Sequence, residues 1–191
     1  MLDGNLKWKK KIALISNKIK RSIGILSKLR YYVNLEVLIK LYYSLVYPFL
    51  TYAIVAWVNT YQTNIKPLLI LQKRAIRIIT FSNFDKHSSP LFKQTKILKL
   101  SDLIKIQISL FMYKFHNNRL PAVFDSYFIK TSKIHKYKTR LSTRHAYALP
   151  KTRTNYGIFS MKFTGAKIWN EIDKDLKTLS MKTFKAKLKE K

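Results

Sequence analysis

Trp8, Ile12, Ile15, Ile19, Ile23 and Leu26 recur at spacings of three and four residues, the period of one apolar stripe on an α-helix. The spacing predicts a helix over residues 5–30. Lys7, Lys11, Lys18, Arg21 and Lys28 run one residue out of phase with that stripe, about 100° around the axis, so the helix is expected to bury one side and show a basic side next to it. Asn34 reads as the cap of a second helix with Glu36 in its first turn, because a short polar side chain there can accept a free N–H. Pro48 kinks or ends that helix, and the aromatic-rich stretch to Trp57 is expected to continue as buried helix. A third helix is predicted after Pro67, with Leu68, Leu71, Ile76 and Ile79 inward and Lys66, Lys73, Arg74 and Arg77 forming a second basic row. Ser101 and Asp102 open a fourth, buried through Leu103, Ile104, Ile108, Phe111 and Phe115 and stopped by Asn117, Asn118 and Pro121.

Beyond Pro121 the apolar runs shorten and Ser, Thr, Asn and Tyr become frequent, placing a soft boundary near residue 118. The run Gly157 to Phe163 alternates enough to predict a strand pair around Gly157. Gly165 precedes a turn of helix holding Trp169, and Ser180 caps a terminal helix with Phe184 and Leu188 on one face. The fold class expected is mainly α: a helical bundle over residues 1–118, then a smaller basic region over 119–191 that is α+β or irregular.

Charge sharpens the picture. The chain carries 38 Lys and Arg against 9 Asp and Glu, a formal charge of +29 on 191 residues. With 47% apolar and 14% aromatic residues it holds too much hydrophobic surface for a disordered polycation. A folded protein this basic favours polyanions, nucleic acid above all, because each phosphate contact releases counterions; a small anionic substrate would not need so many cations. Ser126 to Asn170 contains no acid but ten basic residues, among them Arg140, Arg144, Lys151 and Arg153. Tyr137, Tyr147 and Tyr156 are interleaved as stacking faces. The bland alternative is a solvated basic loop.

Other classes are set aside. Zero Cys excludes a disulfide scaffold, a Cys-ligated zinc and a Cys nucleophile, and fits a reducing compartment, cytoplasmic or nuclear. The first residues hold no apolar region of signal-peptide length, so no secretory signal is expected. Leu41 to Ile65 is uncharged and long enough to span a bilayer, but Pro48, five Tyr and Trp57 interrupt it and basic residues flank both ends; a membrane role is not expected. Two-metal chemistry needs clustered carboxylates. Asp85, Asp102 and Asp125 stand alone, and Glu171, Asp173 and Asp175 read as a solvated helix segment. His87, His116, His135 and His145 lack ligand spacing, and the four Gly are too scattered for a phosphate loop. No catalytic residue, metal or cofactor is expected.

One resemblance runs through the chain. Leu2 to Trp8 (LDGNLKW), Lys18-Ile19, Ser22 to Leu26, Leu41 to Leu45, Pro48, Leu50 to Tyr52, Trp57, Leu71 to Ala75 (LQKRA), Thr139-Arg140, Asn155 to Gly157, Gly165, Trp169-Asn170 and Ser180 with Phe184-Lys185 resemble, in order, the region downstream of the palm in LINE-type, non-LTR retrotransposon reverse transcriptases. Lys11 stands where that family commonly has His, Ala53 where Gly is usual, and Asp173 where Pro often follows the Trp-Asn pair. The resemblance implies a thumb-like helical region and C-terminal extension of an RNA-directed DNA polymerase from a mobile element. The palm aspartates would lie upstream of Met1, whose abrupt start reads like the inside of a domain. The chain is then expected to be non-catalytic and to grip RNA or an RNA/DNA hybrid through phosphates, with Lys18, Arg21, Lys28, Lys73, Arg74, Arg77, Arg140, Arg144, Tyr147, Lys151, Arg153 and Tyr156 as contacts. A missing palm domain is a further expected partner. The rival expectations are an inert relic and a basic membrane-associated helical protein.

Overall fold

The apolar stripe at the start of the chain becomes α1 (Lys9–Leu29), which buries Ile12, Ile15, Ile19, Ile23 and Leu26 as its spacing requires. The structure, a computed structural model, describes residues 8–134 and 145–190. It divides into two compact units, Met1–Leu103 and Ile104–Lys191. The change of texture near residue 118 falls within the second unit, just past the end of a helix.

In the first unit α1 packs against α5 (Gln62–Ile79), with α2 (Leu35–Leu45) lying against both. Asn34 caps α2 as expected, its Oδ1 accepting the Val37 N–H at 3.0 Å. The stretch to Trp57 does not continue as one buried helix. It breaks into α3 (Tyr47–Thr51), with Pro48 in its first turn, and α4 (Ile54–Trp57), because proline cannot continue the hydrogen-bond ladder of α2. Tyr42, Leu50, Ile54 and Trp57 are buried, whereas Tyr43 and Tyr52 are exposed. Trp57 Nε1–H donates to the Tyr52 carbonyl at 2.9 Å, which satisfies the indole inside the core.

The third helix starts earlier than Pro67 suggested: Pro67 lies inside α5, in its second turn. The missing N–H costs one ladder bond, and Thr63, whose carbonyl it would have taken, is exposed to solvent. A short helix the apolar pattern did not announce, α6 (Ser88–Thr95), precedes α7 (Leu100–His116). One buried side chain ties these pieces together. Gln72 on α5 donates to Tyr42 Oη and the Leu98 carbonyl, both at 2.9 Å, and accepts the Leu100 N–H at 2.8 Å. A buried amide satisfied on three sides fixes the mutual position of α2, α5 and the start of α7.

In the second unit α7 from Ile104 onward meets α9 (Met161–Glu171) through His116 and Trp169 and α11 (Met181–Glu190) through Tyr113 and Phe184, while α8 (Asn155–Ile158) packs on α9 and α10 (Lys174–Lys177) on α11. The strand pair expected around Gly157 is helical instead. Thr154 caps α8 through the Gly157 N–H and Ser160 caps α9 through the Phe163 N–H, and two local caps outweigh a short alternation. A Cβ at Gly157 would fall 2.8 Å from Thr152 Cβ, and one at Gly165 would fall 2.9 Å from Met112 Sδ, the end of a flexible side chain that would have to shift. Trp169 and Phe184 fill the core, with Tyr113 stacked on Phe184 at 4.8 Å between ring centroids. The strand-like pairing among the described residues is an isolated antiparallel bridge, Lys130 to Tyr147. The fold is mainly α, and no helix of the described residues is long and apolar enough to cross a membrane.

Candidate nucleic-acid interface

On α1 the core-facing side is set by Ile19 and its neighbours, so the positions offset from it must meet solvent. Lys18, Arg21 and Lys28 are all exposed there. They do not stand alone. At the spacing 11, 14, 18, 21, 25, 28 the residues are Lys, Leu, Lys, Arg, Ile and Lys, with Leu14 55% and Ile25 47% exposed, so two apolar side chains interrupt the cations on one stripe. Lys18 Nζ lies 5.4 Å from the Phe49 ring and Lys11 Nζ 5.7 Å from Tyr52, contacts that hold the ammonium groups near the surface without neutralising them.

The same arrangement recurs on α5, where Lys66, Ile70, Lys73 and Arg77 follow a 4-3-4 spacing and Ile70 is 55% exposed. Lys73 and Arg74 are exposed; Arg77 is half-buried and its Nε donates to the Lys86 carbonyl at 2.9 Å. Arg74 points about 100° away from Lys73, its neighbour in the chain, so of the predicted row of four, Lys66, Lys73 and Arg77 share one stripe and Arg74 lies beside it. Neither α1 nor α5 carries an acid, while α1 holds seven Lys and Arg and α5 four.

In the second unit Lys151, Arg153 and Tyr156 are exposed at the approach to α8. Arg140, Arg144 and Tyr137 lie outside the described residues. Tyr147 offers no stacking face. Its ring is buried at 1% exposure among Phe115, Phe128 and Trp169, and its hydroxyl hydrogen-bonds to His116 Nδ1 at 3.0 Å. Its backbone is clamped by Asn170, which accepts the Tyr147 N–H at 2.9 Å and donates to its carbonyl at 2.8 Å. Burial pushes the Tyr147 hydroxyl up to about 12. A large aromatic beside a residue that can satisfy its backbone is drawn inward, and periodicity alone gave no sign of it.

Sequence reasoning also missed one cation held against aromatic rings in each unit. Arg30 lies with its guanidinium 5.3 Å from the Tyr31 ring and 4.6 Å from Phe81. Lys177 is buried at 3% exposure with Nζ 5.1 Å from the Trp169 ring. Neither position has a spacing signal, since the contacts come from loops and from distant helices. Among the described residues no group of His, Asp or Glu is placed to hold a metal.

His116 gives the second unit a pH dependence. Its burial, with Lys130, His145 and Lys177 nearby, lowers its pKa from the usual 6.5 to about 4. The unfolded chain therefore takes up a proton in that window that the folded chain refuses, so stability present above pH 6.5 is lost as the pH falls towards 4. His116 is half-buried, and solvent screening holds the effect to about 1 kcal/mol, or a few degrees of Tm. Thermal melts at pH 7 and pH 4.5 are expected to show that loss in the wild type and to show less of it in His116→Gln; equal losses would place the sensitivity elsewhere.

No protein-family model, curated protein or solved structure matches the chain. The functional reading therefore stands on its residues and their placement.

Proposed function

We propose that the chain is a non-catalytic nucleic-acid-binding module, the thumb-like and C-terminal part of a LINE-type reverse transcriptase, that holds RNA or an RNA/DNA hybrid by its phosphates. The observation that carries the binding part is the pair of acid-free helices, α1 and α5, each with an apolar face in the core and Lys or Arg on the face away from it. Such a surface attracts a polyanion through its charge density and reads no base sequence.

Support for the family part comes from where the resembling residues sit. Gln72, in the Leu71 to Ala75 run, is the buried amide that joins α2, α5 and α7. Trp57 bonds to the carbonyl of Tyr52, Asn170 clamps Tyr147, and Gly165 lies close against the side chains of Met112, Met161 and Phe128. The departures are informative too. Ala53, where the family usually has Gly, adopts the left-handed backbone (φ 50°, ψ 29°), a conformation that Gly takes without strain. Asp173, where Pro is frequent, has φ −61°, the value a proline ring imposes.

Two outcomes follow. Ala53→Gly is expected to stabilise the protein by about 0.5–1 kcal/mol, relief of the strained backbone outweighing the extra freedom of the unfolded chain; a lower denaturation midpoint would contradict that. In fluorescence anisotropy the purified protein should bind hybrids of two unrelated sequences equally well, and with magnesium it should extend no primer. Strong preference for one sequence, or measurable extension, would overturn the reading.

A further inference from the structure

We infer that a cavity between the second half of α5, the start of α6 and the start of α7 is a phosphate site that takes the terminal phosphate of a bound strand. It deepens the reading above and rests on it for the identity of the strand, though not for the chemistry of the pocket. The cavity measures about 230 Å³ and is lined by Lys73, His87, Ser88, Ser89, Lys99 and Ser101. At about 30 Å³ per water it has room for a phosphate group and part of its sugar, not for a base pair.

Its chemistry is one-sided. Lys73 and Lys99 bring two ammonium groups, His87 a ring nitrogen and three serines their hydroxyls, and no acid lines the space. The nearest carboxylate in sequence, Asp102, accepts the Ser101 hydroxyl at 3.2 Å but is exposed and does not line the cavity. Lys99 Nζ donates to Ser89 Oγ at 3.2 Å, which holds the ammonium at the wall.

The α6 helix opens into the same space. Its N-cap, His87, makes no side-chain cap, so the first N–H groups of the helix, which no intrahelical acceptor can satisfy, are left with their partial positive charge beside the cavity. An independent sign is Ser88, which lines the cavity, is 95% buried by its 5% exposure, and whose hydroxyl has no hydrogen-bond partner among the described residues. The hydroxyl itself keeps accessible surface and opens to the cavity, where an anion would accept from it. Gln72, on the floor, has its amide fully engaged with Tyr42, Leu98 and Leu100 and serves as a rigid wall. Lys73 belongs to both the cavity and the α5 stripe, which makes the pocket continuous with the proposed backbone-binding surface. A terminal phosphate carries more negative charge than an internal diester, and it has only one chain to lead out of the pocket.

The test compares oligonucleotides of one sequence carrying a phosphate at the 5′ end, the 3′ end or neither, by anisotropy with the full chain. One phosphorylated form is expected to bind about tenfold tighter than the hydroxyl form, the worth of one or two charge-assisted hydrogen bonds. Lys99→Gln should erase that difference while leaving the hydroxyl form bound. Ser88→Ala, which preserves packing, should reduce it several-fold. In a second arm inorganic phosphate, at constant ionic strength against chloride, is expected to raise the Tm of the wild type and not of Lys99→Gln. Equal affinity for all three oligonucleotides together with no phosphate-specific Tm shift overturns the pocket. A Tm shift without any oligonucleotide binding supports the pocket with free phosphate as its ligand and overturns the nucleic-acid reading instead.

Discussion

Raising salt from 50 to 200 mM is expected to weaken binding of RNA or RNA/DNA hybrid on the order of a thousandfold or more. The expectation follows from the proposed mode of contact. If the stripes on α1 and α5 meet roughly six phosphates or more, each contact releases condensed counterions, and log K falls with log salt in proportion to their number. Nothing offsets this locally, because the two stripes lie on helices without an acid. The exposed Glu36 pairs with Lys40 at 2.9 Å on α2, an i,i+4 pair worth only tenths of a kcal/mol. The interleaved Leu14, Ile25 and Ile70 would press on sugar or base edges and add a salt-independent part, so binding should persist weakly at high salt. A flat salt response would mean that hydrophobic or specific polar contacts carry the affinity.

Trp57→Ala is expected to destabilise the first unit by about 3–5 kcal/mol. Trp57 is 1% exposed and its indole N–H is bonded to Tyr52, so truncation opens a large cavity and orphans the Tyr52 carbonyl. Against the 5–15 kcal/mol typical of a domain that is a large fraction. The urea midpoint should fall by roughly 2 M or more, and binding through α1 and α5 should fail with the fold. Trp57→Phe keeps most of the volume and should cost about half as much. A Trp57→Ala protein as stable as the wild type would mean that the Leu41 to Trp57 stretch is not core.

How far the sequence spoke for the fold depended on whether the forces at a position were local. The α1 stripe and the Asn34 and Ser180 caps were legible because helical period and capping are set within a few residues, whereas the cap at Ser160 was hidden by the alternation around it. The early start of α5 was not, since proline is a strong breaker in isolation and only packing of Ile65 and Leu68 overrides it. The residue with the most consequential hydrogen bonds, Gln72, sits in an apolar period and looks like a polar interruption until Leu98, Leu100 and Tyr42 come to meet it. For the interface, exposure of Lys18, Arg21, Lys28 and Lys73 follows from phase alone. The inward turn of Tyr147 depends on Asn170, 23 residues away in the chain, and the serine-lined cavity depends on the starts of α6 and α7 meeting the body of α5. Neither has a period to read.

The central claim, that cations on α1 and α5 hold phosphates, is tested most directly by the salt slope of one variant against the wild type. Lys18, Arg21 and Lys28 changed together to Gln leave the buried face of α1 intact, and circular dichroism can verify that the helix content is retained. Anisotropy titrations of an RNA/DNA hybrid across a salt series are predicted to give a slope of log K against log salt smaller by about three, near one unit for each lost phosphate contact, with the same drop for two unrelated sequences. A folded variant with the wild-type affinity and slope would contradict the account.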